Sequence, residues 1–255
     1  STPIKSSAAS DVYKRQVSDY DNSSSNVSIP ETILDKTVSG IDSFAFSKNT
    51  TITSVTMPNT VTKVGDSAFA DATNLLSAKL SENCTDVGIC LFQGCTSLKS
   101  VDLNSKITLI NAQMFYKCSS IESIVIPDTV NKIGNYAFSE CSSLKSVYIP
   151  SSVTEISRSA FRKTASVTIK GSYGSYAEEY AKANNIPFEG ISAYDVGDVN
   201  MDGGINILDA TLVQKYVVGI VELSAEQKHL ADYNKDGDIT VFDATEIQKF
   251  IVHLN

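Results

Sequence analysis

The 255-residue sequence lacks several features that particular functions require. None of its apolar runs approaches the roughly 18 residues that span a bilayer, so no transmembrane helix is expected. Basic residues are fewer than acidic ones, 21 against 29, which argues against nucleic acid as a partner because phosphate binding needs a basic stripe. The chain begins without methionine and without a signal-peptide pattern, so we interpret it as a mature chain or a fragment.

Histidine is almost absent, since His229 and His253 are the only two and both lie close to the C-terminus. A serine nucleophile needs a positioned base, which is usually histidine. The serines that recur in register along the chain are therefore interpreted as a hydroxyl ladder at one structural position, and no catalytic residue is predicted. These serines are Ser54, Ser77, Ser100, Ser123 and Ser146.

Cysteine occurs an odd number of times, five, so the thiols cannot all form disulfides within the chain. Zinc is not expected, because no histidine or second thiol cluster completes four ligands. Three of the cysteines share a sequence column with Ala72, which indicates a small buried position. Free core thiols are expected at Cys84, Cys95, Cys118 and Cys141. Cys90 should be exposed, and pairing between adjacent turns is the alternative that distance permits.

What the sequence does contain is a strict internal repeat in six copies, whose period is the interval from Phe46 to Phe69. Three apolar columns run from Val38 to Val153, from Ile41 to Ile156 and from Ile52 to Val167. A fourth column consists of Phe46, Phe69, Phe92, Phe115, Phe138 and Phe161. Four columns in register are not produced by chance, so the period defines the architecture of most of the chain.

One copy reads IPDTVNKIGNYAFSECSSLKSVYIP at 126–150, and its apolar spacing in LKSVYI is that of a leucine-rich-repeat strand. Each copy has an apolar face that it cannot bury alone, so the copies are expected to stack into a solenoid with strands about 4.8 Å apart. The pattern I-G-x-x-A-F-x-x-C-x-S-L-K-S-V-x-I-P resembles the BspA-type leucine-rich repeats of bacterial surface and secreted proteins. The resemblance covers roughly 27–190.

The repeat also sets the expected domain boundaries. Residues 1–26 contain eight serines and no periodicity, so a flexible N-terminal segment is predicted there. The solenoid should occupy 27–191 and end in a cap at 167–188, where AEEYAKANN predicts a polar helix that protects the last turn. A third unit is expected at 192–255.

Most of the chain's negative charge lies in that third unit. Residues 195–255 hold eleven acidic and four basic residues, whereas the part of the chain that precedes them is nearly neutral. Two divalent cations would offset about half of this charge. The segments DVNMDGGINILD at 198–209 and DYNKDGDITVFD at 232–243 place oxygen donors at the spacing of EF-hand loops, with glycine at the sixth position.

Hard oxygen donors without nitrogen or sulfur favour calcium, and we predict two calcium ions. In the first loop the predicted ligands are Asp198, Asn200, Asp202, the Gly204 carbonyl, Asn206 and Asp209. In the second they are Asp232, Asn234, Asp236, the Asp238 carbonyl, Thr240 and Asp243. The twelfth position is Asp in both loops, whereas calcium sensors carry Glu there. A domain of about 60 residues has a small core, so the metal should supply much of its folding free energy.

Each loop runs into a helix, DATLVQKYVVG or DATEIQKFIVH, and this duplicated unit resembles the dockerin domain of cellulosomes over roughly 194–255. A short helix with a capping box is expected between the copies at 224–231. The resemblance implies a cohesin module of a scaffoldin as partner. It further implies that recognition uses Ile207, Leu208, Gln214, Lys215, Val241, Phe242, Gln248 and Lys249. Val213, Val217, Ile247 and Ile251 are expected in the core, and Leu208 and Phe242 are expected to be partly exposed.

The sequence therefore predicts a multi-domain fold, a leucine-rich-repeat solenoid with a helical end cap followed by a small all-α calcium-binding dockerin. The expected function is that of a secreted, non-catalytic cellulosome component of an anaerobic bacterium, whose solenoid binds a protein or glycan. The outward strand positions Thr56, Lys79, Asp102, Val125 and Tyr148 vary, which suits a binding face and an unconstrained surface equally well. The alternative is an accessory part of a larger cellulosomal carbohydrate-active enzyme whose catalytic module lies upstream of Ser1.

Overall fold

The computed structural model describes residues 4–6, 14–20, 24–164 and 166–252. Residues 24–191 form a solenoid of about seven turns, and three helices follow in 195–252. Among the helices that the structure describes, none has the length and apolarity to cross a membrane. One apolar core runs through the solenoid from Val27 to Ala181, and a second, from Val199 to Ile247, lies among the C-terminal helices.

Most of the solenoid strands are short, because an interior turn contributes only two or three residues to a face. The strands are β1 (Ile4–Ser6), β2 (Lys14–Tyr20), β3 (Asn26–Ser28), β4 (Thr32–Ile33), β5 (Lys36–Ile41), β6 (Ser54–Thr56), β7 (Lys63–Val64), β8 (Ser77–Lys79), β9 (Asp86–Val87), β10 (Ser100–Asp102), β11 (Leu109–Ile110), β12 (Ser123–Val125), β13 (Lys132–Ile133), β14 (Ser146–Tyr148), β15 (Glu155–Ile156), β16 (Thr168–Ser172) and β17 (Phe188–Ile191). The helices are α1 (Tyr176–Ala183), α2 (Ile207–Val217), α3 (Ala225–Ala231) and α4 (Val241–Ile251).

Two parallel sheets run along the solenoid, and each divides into two parts. One consists of β3, β6, β8 and β10 and continues as β12, β14, β16 and β17. The other includes β5, β7 and β9 and continues as β11, β13 and β15. Interior strands such as β8 and β10 pair in a register of one repeat period, with Ser77 opposite Ser100.

The phenylalanine column forms the spine of the solenoid. Its six rings stack face to face, with neighbouring centroids 5.0 to 5.8 Å apart, and every ring is at most 5% exposed. This spacing is close to the distance between adjacent β-strands, so one ring per turn fills the core without a gap. The column ends against the cap helix α1, where Tyr180 lies 6.1 Å from Phe161.

The cap forms as predicted around α1. Ser175 is its N-cap residue and accepts a hydrogen bond from the Glu178 amide, and the helix ends at Ala183 with Asn184 as its C-cap residue. The last strand, β17, then pairs with β16, so the helix and this strand together complete the final turn.

The N-terminal segment contributes strands to the structure. A flexible segment over 1–26 was expected, but β1 and β2 form there and β2 pairs in parallel with β5. The pairing places Arg15 opposite Val38, one full repeat period along the chain, so β2 continues the solenoid period with a polar residue in an apolar column. That substitution hides the repeat from a search for apolar columns. The flexibility expected over 1–26 stays a prediction.

The strand ladder is interrupted between the turns that contain β10 and β12. In the neighbouring turns Gly88 N donates to Val64 O and Gly134 N to Ile110 O, each at 2.8 Å. A Cβ added to Gly88 would lie 2.4 Å from the backbone of the preceding turn. Gly88 and Gly134 occupy the same position of the repeat, which we call the glycine column. Asn111 occupies this column in the turn between them, and its side-chain amide, instead of its backbone amide, donates to the Val87 carbonyl.

The turns nevertheless stay joined at the phenylalanine corner, where Phe92 N donates to Met114 O at 2.9 Å. The Phe92 and Phe115 rings are 5.8 Å apart, the widest spacing in the stack. Ser157 stands in the same glycine column as Asn111 and keeps its backbone bond to Ile133 O. The interruption therefore follows from the larger Asn side chain, which takes the carbonyl that the main chain uses elsewhere.

Candidate calcium and docking site

Each predicted calcium loop closes on the carboxylate at its first position. Asp198 accepts hydrogen bonds from the amides of Asp202 at 3.2 Å and Gly203 at 2.9 Å. In the second loop Asp232 accepts from Asp236 at 3.1 Å and Gly237 at 3.0 Å. Gly203 and Gly237 have φ of +92° and +93°, a left-handed backbone that glycine adopts without steric cost.

The twelfth-position aspartates join the two ends of their loops. Asp209 accepts from the backbone amides of Asn200 and Asn206, both at 2.8 Å. Asp243 accepts in the same way from Asn234 at 3.2 Å and Thr240 at 2.9 Å. Each aspartate also completes the capping box of the helix that follows. The short Asp side chain thus holds the loop and the first helical turn together.

The remaining predicted ligands lie inside the same turns. Asn200 accepts from the Asp202 amide, and the Asn206 amide group donates to the Gly204 carbonyl, both at 2.9 Å. Asn234 accepts from the Asp236 amide at 2.9 Å, and Asp236 accepts from the Asp238 amide at 2.9 Å. The two loops therefore share one hydrogen-bond pattern.

The electrostatics of the loops fit a bound cation. Asp198, Asp209 and Asp243 are at most 2% exposed, and within the described part of the chain none of them pairs with a lysine or arginine. A buried carboxylate is costly unless it is compensated, and amide donors alone leave its charge in place. In the described residues no three His, Cys, Asp or Glu side chains gather closely enough to hold a metal by themselves. A cation would therefore also need the amide, hydroxyl and main-chain oxygens.

The helix faces that follow the loops expose apolar side chains. Ile207, Leu208, Val241 and Phe242 are 53% to 70% exposed. Gln214, Lys215 and Lys249 are exposed and Gln248 is half-buried. All eight residues predicted to meet a partner are thus accessible, and Leu208 and Phe242 are more exposed than expected.

The structure brings together partner-binding residues from different copies of the loop-helix unit, whereas the sequence predicted one face from each copy. A cleft of about 380 Å³ is lined by Ile207 from the first copy and by Thr245, Gln248, Lys249 and Val252 from the second. The start of α2 therefore lies beside the end of α4, as in antiparallel packing. This cleft combines the start of α2 from one copy with α4 of the other, and Thr245 and Val252 are lining residues that the sequence did not indicate.

The core expectations for these helices hold in part. Val213 and Ile247 are fully buried, whereas Ile251 is half-buried. Val217 is 37% exposed, so its assignment to the core is wrong. It is the last residue of α2. Ile205 and Ile239 pack against the core and attach the loops to it.

The solenoid cysteines are free thiols, and all five lie in the described part of the chain. Cys95, Cys118 and Cys141 each donate to a phenylalanine carbonyl of the preceding turn at 3.0 to 3.1 Å. Burial raises the pKa of Cys95 and Cys141 to about 12 and holds that of Cys118 well above its usual range. Cys84 is buried as expected, and Cys90 is half-buried instead of exposed.

Comparison with known families decides the identity of both parts. A model of the BspA type leucine-rich repeat region matches the chain in six copies, over residues 20–132 and 62–180. The chain belongs to this family. A model of the dockerin type I domain matches residues 196–252, which contain both loops and the three C-terminal helices. Both parts of the predicted fold class are thereby confirmed.

Solved structures of bacterial leucine-rich-repeat proteins share the solenoid fold. A leucine-rich-repeat protein of T. pallidum has a TM-score of 0.57 at 20% identity, over 74% of this chain and 97% of that protein. A leucine-rich cell surface protein of Faecalibacterium prausnitzii has a TM-score of 0.51 at 24% identity, over 62% of this chain and 50% of that protein. The match thus spans half of the Faecalibacterium protein. No curated protein sequence matches the chain significantly.

Proposed function

We propose that this BspA-type leucine-rich-repeat protein is a secreted, non-catalytic cellulosome component of an anaerobic bacterium. Its dockerin domain, at 192–255, binds a cohesin module of a scaffoldin and thereby attaches the solenoid, at 27–191, to the complex. The observation that carries the proposal is the pair of accessible apolar faces at the starts of α2 and α4, on a domain that matches the dockerin family. Exposed apolar patches of this kind mark protein interaction sites.

Two calcium ions have a structural role in this proposal. Asp198, Asp209 and the intervening donors would hold one ion, and Asp232, Asp243 and theirs would hold the other. Calcium supplies positive charge to buried carboxylates and holds the loop ends together, which fixes the first turns of α2 and α4. The positions of Leu208 and Phe242 then depend on the loops that precede them.

The solenoid supplies a ligand-binding surface for a protein or a glycan. Both matched families are non-catalytic, and the serine ladder has no histidine within the solenoid sequence. Four of the five outward strand positions are exposed, and Tyr148 is half-buried. They vary in charge and size along the surface, as an extended recognition face would.

Titration calorimetry with a panel of type I cohesins tests the docking proposal. Truncating one face, by Ile207→Ala with Leu208→Ala or by Val241→Ala with Phe242→Ala, should leave substantial binding, because the other face offers a similar surface. Truncating all four residues should abolish binding. The matched control is Leu76→Ala with Val125→Ala, which removes exposed apolar side chains from the solenoid.

Two outcomes would contradict the proposal. Unchanged affinity in the fourfold variant would place the contact elsewhere on the domain. Complete loss from one single-face variant, with the other harmless, would show that only one face is used.

A further inference from the structure

A polar cleft lies where the last solenoid turn meets the end of the cap helix α1. Its volume is about 650 Å³, within the range of small-molecule sites. The polar groups that line it include Asn135, Tyr136, Arg158, Arg162, Asn184 and Asn185. A smaller recess adjoins it and shares Arg158 and Asn184.

The two arginines differ from most basic residues of the solenoid because they lack ionic partners. Most of its lysines pair with a carboxylate, usually on the neighbouring turn, as Lys132 does with Glu155 at 2.7 Å. Arg158 and Arg162 are exposed, and within the described part of the chain neither lies within 4.0 Å of a carboxylate oxygen. Two guanidinium groups beside one cleft on a chain of net charge −8 form a local site for an anion.

The acidic groups near the cleft do not neutralise these arginines. Glu140 is occupied by Lys163 at 3.1 Å, with Lys117 at 4.0 Å. Glu155 is occupied by Lys132. Glu179 lines the adjoining recess with Arg158 but forms no ion pair with it. The guanidinium donors therefore remain available to a ligand.

The other lining groups distinguish among anions. Asn135 accepts from the Ser157 hydroxyl at 2.5 Å, which leaves its amide N–H groups for a ligand. Asn185 also lines the cleft with its amide, whereas the Asn184 amide group already donates to the Tyr180 carbonyl at 2.8 Å. Of the apolar lining residues, Phe161 and Val167 are 5% and 2% exposed, whereas Ile186 is half-buried and Pro187 is exposed, so the apolar contact that the cleft offers is confined to one edge. The accessible surface thus provides charged donors together with neutral amide and hydroxyl groups.

We propose that this cleft binds an acidic saccharide. A uronic acid unit carries one carboxylate and several hydroxyls on a single ring, which is the combination that the arginines and amides can satisfy. The planar guanidinium fork suits a carboxylate, and the half-buried Tyr136 lines the same cleft. The inference deepens the proposed role of the solenoid as a ligand-binding surface and does not depend on the dockerin.

The test is titration calorimetry of the full chain with trigalacturonate, with free calcium matched in the cell and the syringe. Saturable binding is expected, and a neutral galactose trisaccharide should bind at least about tenfold more weakly because charge-assisted hydrogen bonds are lost. The double substitution Arg158→Gln with Arg162→Gln should weaken trigalacturonate binding by at least about tenfold. The matched control, Lys48→Gln with Lys99→Gln, removes the same charge elsewhere on the solenoid and should bind as the unmodified chain does.

Several results would overturn the inference. Absence of saturable trigalacturonate binding would do so. Equal affinity of the double arginine variant and the unmodified chain would also overturn it, because the saccharide site would then lie elsewhere, and the proposed function would still stand. Tighter binding of trialanine through its terminal carboxylate would identify a peptide ligand instead. The double arginine variant should bind a cohesin as the unmodified chain does. The cohesin titration therefore tests the docking proposal independently of the saccharide titration.

Discussion

Replacing Phe115 with alanine removes one ring from the middle of the phenylalanine spine. Phe115 is fully buried, and its ring stacks on Phe92 at 5.8 Å and on Phe138 at 5.3 Å. Neither neighbour can move into the space, because each is held by its own turn. We expect the free energy of unfolding to fall by about 3–5 kcal/mol, the cost of deleting a buried aromatic side chain.

The assay is urea unfolding in calcium, followed by far-ultraviolet circular dichroism because the chain has no tryptophan. Phe44 provides a matched control, since it is a phenylalanine of the same solenoid that is 64% exposed. Phe44→Ala should change the free energy by no more than about 0.5 kcal/mol. Equal unfolding midpoints for the two variants would show that the column does not form the core.

Three further predictions follow from other parts of the structure. Gly88→Ala should lower the free energy of unfolding by about 1–3 kcal/mol, because the added Cβ meets the backbone of the preceding turn. A urea unfolding midpoint equal to that of the unmodified chain would show that the turns can separate at no cost. The free energy of unfolding should fall as pH rises above about 9, because the thiols of the unfolded chain lose their protons there while the buried thiols, whose pKa is raised, keep theirs. Replacing Cys95, Cys118 and Cys141 with alanine should flatten this pH dependence. An unaltered slope in that variant would refute the explanation. Chelation with EGTA should remove the helical signal of 195–252 and spare the solenoid, whereas an unchanged helical signal would argue against calcium as a structural element.

The interior of the solenoid could be predicted because every turn places the same kinds of side chain at the same core positions. In each turn, one ring, one small residue and one strand for each sheet give columns that a constant period makes visible. The ends could not be predicted in the same way. Val27 pairs with Val55, which lies more than one period away, and Val147 pairs with Ile169, which lies slightly less than one period away. The strands β3 and β16 therefore fall outside the period.

The interruption of the strand ladder also escaped the sequence analysis. Asn111 stands in a glycine column, and this could have been noticed as a departure from the pattern. Its consequence could not, because Ser157 in the same column keeps its backbone bond and only the geometry separates the two cases. A substitution in the glycine column therefore indicates where the strand ladder could be interrupted, but it does not determine whether the backbone hydrogen bond is lost.

The turns of the two loops could be predicted because all the donor positions lie within twelve consecutive residues, and the calcium ligands themselves stay a prediction. The arrangement of the docking faces could not, because it depends on how α2 packs against α4. Residues related by the duplication were expected to form one face per copy. Antiparallel packing instead brings Ile207 to Gln248 and Val252, and it leaves Val217 exposed at the end of its helix.

The most direct test of the central claim is calorimetric titration of one type I cohesin into the full chain, first with calcium and then after its removal by EGTA. The account predicts saturable binding with calcium and none after chelation, because the loops that carry the uncompensated carboxylates of Asp198, Asp209 and Asp243 also position the exposed faces of α2 and α4. Restoring calcium should restore the binding. Equal affinity in the presence and absence of calcium would contradict the claim that the metal loops build the docking surface.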